Sequence, residues 1–503
     1  MGTAFARVII DRAIHRELDY SVPESLAERV QIGSRVRVPF RDTSALATVV
    51  AVLDETEAPG IRPIDAIIGD RPALSPKLLE LARWMSAYYC CPIEAVARTM
   101  LPQVIRRAEV SWKKQLFVKP AREIRDEDVE QLRRRAPRQA ELLAYIATLT
   151  VPTAAAEVLR KTQLDNAALR GLEKRGFIEL SKEAVTRDPH ADEQFIATTQ
   201  LTLNSEQSAA MTLVAESLAI AERALPILLH GVTGSGKTEI YLQAIRLALD
   251  RGKTAIVLVP EISLTPQTVE RFKSRFAEAQ DIVAVLHSHL SEGERHDEWQ
   301  KINSGHARIV IGARSAVFAP LENLGLIVVD EEHETSYKQE DAPRYHARDV
   351  AVVRAKMEGA AIVLGSATPS LESYFNATTG KYRLSTLTQR VDNCEMPLIR
   401  IVDLRLERQK EKVPPILSSK LREAITARLE KREQTILFLN RRGFSTSLVC
   451  SNCGEARDCP NCSVALTFHR NAARLSCHLC GHTAAVPKKC PECHQDALIF
   501  AGF

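Results

Sequence analysis

Three short runs carry the residue types that handle a triphosphate. HGVTGSGKTEIY, His230 to Tyr241, has the spacing G-x-x-x-x-G-K-T. Gly231, Gly234 and Gly236 let the backbone curl, so that successive N–H groups across Val232, Thr233 and Ser235 face phosphate oxygens. Lys237 is then expected to reach the β/γ-phosphates, and the Thr238 hydroxyl to bind Mg²⁺. LGLIVVD ends in Asp330, followed by Glu331, Glu332 and His333. An acid at the tip of an apolar strand holds Mg²⁺, and the next acid polarises water, so Asp330 is assigned to the metal and Glu331 to water activation. GSATPS, Gly365 to Ser370, offers the hydroxyls of Ser366 and Thr368 as sensors of the γ-phosphate.

A second chemistry lies in the cysteines. Eight of the eleven fall in four C-x-x-C pairs: Cys450 with Cys453, Cys459 with Cys462, Cys477 with Cys480, and Cys490 with Cys493. Eight thiolates suffice for two tetrahedral Cys₄ zinc sites, with an iron–sulfur cluster as the alternative. Spacing alone does not pair them. Residues 441–494 carry a formal +4 that eight thiolates and two Zn²⁺ bring to about neutral. DNA contact by this module would rest on local groups such as Arg441, Arg442, Lys488 and Lys489. Adjacent Cys90 and Cys91 lack partners at ligand spacing and read as buried apolar residues.

The elements that must position these groups follow from periodicity. PILLHG (226–231), TAIVLVP (254–260), IVAVLHS (282–288), ARIVIGA (307–313), LGLIVVD (324–330) and AAIVLGS (360–366) alternate with helix-length amphipathic segments. Such continuous aliphatic strands predict a parallel sheet covered on both faces, with ligands at the carboxyl ends of its strands. Upstream, RVRVPF (35–40) and ALATVVAVL (45–53) read as strands, and PKLLELARWMSAYYC from Pro76 as a helix. Arg98 to Arg138 holds twelve Lys/Arg against six Asp/Glu, either a solvated linker or a phosphate-contacting surface. The run DNAALRGLEKRGFIEL ends as a winged helix-turn-helix does, a DNA reader or a plain spacer. Downstream of the nucleotide motifs, KLREAITARLEKRE (420–433) predicts a helix and TILFLN (435–440) a strand.

Composition bounds the class. At 503 residues, 45% hydrophobic and 26% charged, the chain is that of a multidomain globular protein. A net charge of +4 is too small to argue for nucleic acid by itself. The N-terminus carries charges inside its apolar patch, and no run is long enough to span a bilayer, so a reduced compartment is expected for the thiols.

The ordered trio GVTGSGKT, DEEH and GSATPS resembles superfamily 2 helicases and translocases of the DExH type. With VPEISLTPQ (259–267), IGARSAVFAP (311–320), DEEHETSYKQEDAPRYHARD (330–349), GSATPSLES (365–373) and FLNRRGF (438–444), the chain resembles the bacterial primosomal replication-restart DNA helicases of the PriA family. LDYSVP (18–23) and LNSEQ (203–207) extend the match over essentially the whole chain. The resemblance implies an α/β protein: a RecA-like P-loop helicase lobe, an N-terminal β-rich DNA-binding domain, a winged helix, and a Cys-rich zinc module inserted in an incomplete second lobe. It sets boundaries at 1–105 for the 3′-end DNA-binding domain, 106–198 for the basic linker and winged helix, and 199–395 for the first helicase lobe. The start of the second lobe follows at 396–448, the double Cys₄ module at 449–494, and a continuation at 495–503.

It also implies an ATP-dependent 3′→5′ DNA helicase, with ATP, Mg²⁺ and two Zn²⁺, acting on branched and single-stranded DNA at stalled forks. Single-strand DNA-binding protein and other primosome proteins are the implied partners, in the nucleoid-associated bacterial cytoplasm, with no membrane contact. Tyr337, Lys338, Arg344 and Tyr345 match an aromatic-rich loop that couples DNA contact to hydrolysis. Asp19 falls at the position of the 3′-end pocket, and Arg314 in IGARSAVFAP is a DNA contact. One zinc is implied for the outer cysteine pairs (Cys450, Cys453, Cys490, Cys493) and one for the inner pairs. No later family motif follows Asn440, so the sequence reads as C-terminally truncated. The alternative reading is therefore a DNA- and ATP-binding platform whose hydrolysis DNA barely stimulates; an unrelated superfamily 2 nucleic-acid translocase is the distant one.

Overall fold

The computed structural model describes residues 4–14, 16–107, 113–149, 151–185, 196–220, 224–277, 282–391, 398–404, 417–438, 447–469 and 473–501. The chain divides into two compact units, Met1–Cys394 and Glu395–Phe503.

The first unit opens with an antiparallel sheet built from β1 (Phe5–Ile10), β2 (Leu18–Ser21), β3 (Arg35–Phe40), β4 (Thr43–Leu53) and β5 (Ala66–Ile68), in the order β2-β1-β4-β3-β5. Alternate residues of these strands, among them Val8, Val36, Val38, Ala47 and Val49, fill one face. Helix α1 (Pro76–Tyr88) starts where sequence rules place it: Pro76 opens the first turn, and the Ser75 hydroxyl accepts the Leu78 N–H at 3.2 Å. Helices α2 (Ile93–Met100) and α3 (Gln103–Arg107) follow. At the end of α1, Cys90 takes φ +47 and turns its side chain to solvent, while Cys91 is buried. The expectation that both are buried therefore holds for Cys91 only.

The described part of the basic stretch is folded into regular elements. It runs through the end of α2, α3, β6 (Lys113–Pro120) and α4 (Asp126–Arg135), and it carries the internal ion pairs Arg122–Asp128 and Arg133–Glu130. With α5 (Pro137–Ala147), β7 (Thr153–Ala154), α6 (Ala155–Thr162), α7 (Asn166–Lys174) and β8 (Ile178–Val185), β6 and α4 make a winged helix on a three-stranded sheet, β7-β6-β8. Asp165 caps α7 through the Ala168 N–H at 3.1 Å.

The nucleotide motifs sit on α8 (Ser205–Ile220), β9 (Ile227–Gly231), α9 (Lys237–Asp250), β10 (Thr254–Leu258), α10 (Pro266–Arg275), β11 (Val283–Leu286), α11 (Glu292–Asn303), β12 (Ile309–Gly312), β13 (Leu324–Val329), α12 (Ala347–Glu358), β14 (Ala361–Ser366), α13 (Leu371–Thr378) and β15 (Arg383–Leu387). All six expected strands form. The sheet is parallel, ordered β11-β12-β10-β13-β14-β9-β15. Edge strand β15, RLSTL, was not expected, because its alternation of polar and apolar residues is short and weak. Successive strand residues enter opposite cores: Ile227, Leu229, Ala255 and Val257 join α8, α9 and α10, while Leu228, Ile256 and Leu258 join α11 and α12. The second core also takes in Leu78, Leu81, Ala82 and Met85 of α1. The helices of the N-terminal domain and the P-loop lobe thus share one interior, which a boundary at residue 105 obscures.

Arg354 pins this core. Its guanidinium is 1% exposed and donates to Val317 O at 2.6 Å, Ala319 O at 2.9 Å and the Glu358 carboxylate at 2.9 Å. Truncation would strand two carbonyls and a carboxylate. Arg354→Ala is expected to cost about 3–5 kcal/mol, read as a lowered midpoint in denaturant unfolding.

The second unit, described by itself, has a helix at Ser419–Glu430, N-capped by Ser418, close to its expected span. The strand expected at TILFLN does not form over residues 435–438: Ile436, Leu437 and Phe438 are 94%, 58% and 88% exposed. A strand exists only with a neighbour to share its hydrogen bonds, and among the described residues none lies alongside. Residues 439–446, including Arg441 and Arg442, lie outside the described residues, as does Met396. Strands β16 (Ser447–Cys450), β17 (Thr467–His469), β18 (Arg474–Ser476), β19 (Thr483–Ala485) and β20 (Leu498–Ala501) form an antiparallel sheet, β19-β18-β17-β16-β20.

Candidate nucleotide site and metal centres

The phosphate loop joins β9 to α9 at the carboxyl edge of the parallel sheet. Gly234 and Gly236 sit at φ +79 and +82, where side chains are strained, and a Cβ at Gly236 would lie 2.4 Å from Gln207 Nε2. Gln207 donates that amide to Ser235 O at 2.9 Å and holds the loop from α8. Lys237 Nζ reaches across the loop to Gly231 O at 2.8 Å, with the residue 8% exposed. Thr238, in the first turn of α9, is half-buried; Val232 is also half-buried and Thr233 exposed. The segment after β15 straps the loop from outside: Val391 donates its N–H to Gly234 O at 3.0 Å, and the Arg390 guanidinium lies against Gly234. The concave N–H array at a helix start suits a polyphosphate.

Asp330 follows β13, one strand from the loop across β14. Its Oδ1 accepts the Tyr241 hydroxyl at 3.0 Å, and that ring fits only because residue 365 is glycine: a Cβ there would fall 1.7 Å from the tyrosine oxygen. Burial first, and Glu331 beside it, push the Asp330 carboxyl up to about 6. The folded-state value lies above the free carboxyl's 3.8, so protonation favours the ligand-free fold at low pH. That contribution is lost as pH rises through about 6, whereas a divalent cation held by Asp330 would require the carboxylate. The thermal stabilisation conferred by Mg²⁺-nucleotide is therefore expected to shrink as the buffer goes from pH 7 to pH 5.

Glu331 holds φ +43 at the strand tip, an uncommon conformation that turns its half-exposed carboxylate toward His333 Nδ1, 3.6 Å away. His333 Nδ1 also meets Ser366 Oγ at 2.8 Å, and Nε2 meets Thr368 Oγ1 at 3.4 Å. The acid run and GSATPS are thus physically joined. Glu332, fully buried, accepts from Arg348 Nη1 (3.1 Å), Ser370 N (2.7 Å), Ser370 Oγ (3.0 Å) and Ser373 Oγ (2.8 Å). Sequence reasoning missed Gln207, Tyr241 and Glu332; the serines at 370 and 373 in GSATPSLES were the available hint for the last.

Of the coupling candidates, Tyr337 is brought to Asp330. Tyr337 and Tyr345 are each 1% exposed. Tyr337 donates its hydroxyl to Asp330 O at 2.7 Å, and Tyr345 packs edge-on against Phe318 at 5.2 Å. Lys338 and Arg344 are exposed, and Arg314 Nη1 donates to Lys338 O at 2.7 Å. Asp19 lies far along the chain in the N-terminal sheet, beside a cavity of about 590 Å³. Its carboxylate accepts Arg7 at 2.8 and 3.0 Å and the Thr56 hydroxyl at 2.6 Å, and hydrogen bonding to Arg7 holds its pKa down.

The cysteines gather as two sets of four, the outer pairs (Cys450, Cys453, Cys490, Cys493) and the inner pairs (Cys459, Cys462, Cys477, Cys480), with the sulfurs of each set within 4.8 Å of one another. Sulfur separations of 3.5–3.7 Å match the edge of about 3.8 Å that a Zn–S₄ tetrahedron requires. Backbone N–H donors at His482 and Gln495 draw Cys480 and Cys493 down to about 6, while Cys462, bonded to the Cys480 sulfur, is pushed up to about 12. Four sulfurs this close cannot all ionise without a cation, so the donor sets fit zinc. Lys488 and Lys489 belong to the same module.

A phosphate loop, an acid at the tip of a parallel strand and a hydroxyl-bearing linker joined by a histidine define a P-loop protein of the DEAD/DEAH box helicase class; the family model so described matches residues 205–376. Two further models match, the 3′DNA-binding domain (3′BD) at 7–102 and the PriA DNA helicase Cys-rich region at 459–484. The chain is 38% identical to the replication restart protein PriA of Bacillus subtilis, over 99% of this chain and 70% of that protein. It is 40% identical to that of Chlamydia trachomatis (97% and 65%) and 36% identical to that of Haemophilus influenzae (99% and 66%). The chain belongs to the PriA family of replication restart proteins. It spans 65–70% of the length of these relatives.

Proposed function

We propose that the chain is the nucleotide- and DNA-binding body of an ATP-dependent 3′→5′ DNA helicase of replication restart, recognising stalled or branched forks. The carrying observation is that Lys237 bonds Gly231 O inside the loop while Tyr241, one turn further along α9, and Tyr337 both bond Asp330, so the polyphosphate cradle and the loop bearing Lys338 and Arg344 meet at one acid. ATP sits with its phosphates in the loop 231–238. Thr238 and Asp330 would hold Mg²⁺, which would neutralise phosphate charge; Glu331 would polarise water, and Ser366 and Thr368, bonded to His333, would sense the γ-phosphate. The Asp19 pocket receives the 3′ end of a nascent strand, and Arg314, already bonded to the coupling loop, contacts the tracked strand. Two Zn²⁺, one per cysteine set, hold the 449–494 module. Single-strand DNA-binding protein and other primosome proteins are the partners, in the bacterial cytoplasm. No helix among the described residues is long and apolar enough to cross a bilayer.

The test is ATP turnover with and without a forked DNA. Fork-stimulated hydrolysis on the order of 1 s⁻¹ or faster, lost in Asp330→Asn, supports the helicase reading. Nucleotide and fork binding with turnover indifferent to DNA would reduce the chain to a binding platform.

A further inference from the structure

One side chain of the N-terminal domain reaches the coupling loop directly. Tyr89, at the end of α1, accepts the backbone N–H of His346 at 3.3 Å, and its ring lies 5.8 Å from the Lys338 ammonium. Lys338 and His346 pair as an isolated antiparallel bridge, so Tyr89 grips both stems of the loop between them. The ring is held in place by Tyr88 and Trp84, edge-on at 5.0 and 6.1 Å. His346 is the N-terminal cap of α12, so the hydroxyl takes up a donor that the helix itself leaves unpaired. On the far side, the His346 ring lies 6.5 Å from that of Tyr337, whose hydroxyl is bonded to Asp330 O. A shift of α1 therefore reaches the Mg²⁺-binding acid through three contacts.

We propose that Tyr89 is a positioning residue that lets the 3′-DNA-binding domain and the nucleotide site sense each other. The inference rests on the nucleotide and 3′-end DNA sites proposed above. Its content is thermodynamic. If Tyr89 holds the loop in the arrangement that DNA favours, DNA raises nucleotide affinity, and nucleotide raises DNA affinity by the same factor. Tyr89→Phe keeps the ring and the cation contact but removes the oxygen that accepts the His346 N–H. Tyr89→Ala removes both.

The experiment measures the dissociation constant of a fluorescent N-methylanthraniloyl ATP with Mg²⁺, alone and with saturating 3′-ended oligothymidylate, and the reciprocal DNA titration. The wild-type chain is expected to show coupling within the usual range of about 5- to 150-fold. Tyr89→Phe should cut that factor roughly threefold or more, and Tyr89→Ala should bring it near one. Each binary affinity should stay within about twofold, because the residue touches neither ligand. Unchanged coupling in both variants overturns the proposal, as does a variant that loses either binary affinity, which would mark Tyr89 as merely structural. A wild-type chain that binds both ligands without coupling overturns it while leaving the proposed function standing. A wild-type chain that binds no nucleotide sinks the proposed function itself.

Discussion

Lys237→Ala is expected to abolish ATP-dependent activity while leaving DNA affinity nearly intact. In the structure the ammonium is already inside the loop, bonded to Gly231 O, so it approaches phosphate at little reorganisation cost. A hydrogen bond to a charged group is worth about 1.5–3 kcal/mol, so the substitution should weaken nucleotide binding roughly tenfold to a hundredfold. Turnover should fall further, since in the proposed site the lysine would also stabilise charge on the transferring phosphoryl group. The Asp19 cavity and the exposed cations of the coupling loop are untouched by the change. Fluorescence anisotropy on a forked DNA should therefore give an affinity within about threefold of wild type, whereas a tenfold loss would count against the separation of the two sites.

Stripping the metal should unfold the cysteine module and spare the P-loop lobe. The module's buried interior is small, with Leu448, Leu466 and Leu475 beside the cysteines, too little to offset the conformational entropy of its residues. Structural zinc supplies about 10–16 kcal/mol of apparent binding free energy in comparable peptides, so its loss dominates any packing term. Elemental analysis after gel filtration should find two zinc ions per chain. After chelation, limited proteolysis should cut within 447–501 while a fragment containing 224–391 resists. One zinc, iron in place of zinc, or an intact module after chelation would contradict the double Cys₄ assignment.

What the sequence discloses is chemistry tied to local spacing. The loop at 231–238, the acid at 330, the hydroxyls at 366 and 368 and the four C-x-x-C pairs are each short, and each needs only its own backbone geometry to be recognised. The six buried strands are legible for a related reason: aliphatic runs with both faces covered leave no alternation to misread. What escapes depends on contacts between distant segments. Nothing in YLQAI says that Tyr241 will reach Asp330 through the gap left by Gly365, and nothing in DEEH says that its third residue is the buried hub for Arg348, Ser370 and Ser373. Tyr337 and Tyr345 lie in a charged, polar run that gives no sign of burial, yet both join the core shared with α1 and α12. Over residues 435–438, TILFLN fails for the converse reason. Its strand propensity is clear, but propensity forms no ladder without a partner strand. Cys90 shows the same limit at a single residue, where one positive φ turns an apolar side chain outward.

The central claim is that one chain holds separate sites for Mg²⁺-ATP and for a 3′-ended DNA strand, joined through the loop between them. It is tested most directly by calorimetric titration of Mg²⁺ and a non-hydrolysable ATP analogue into the chain presaturated with a labelled 3′-ended strand, with anisotropy reporting the DNA throughout. The account predicts one nucleotide bound per chain while the strand stays in place. Release of the strand as nucleotide binds, mole for mole, would show a single shared site and contradict it.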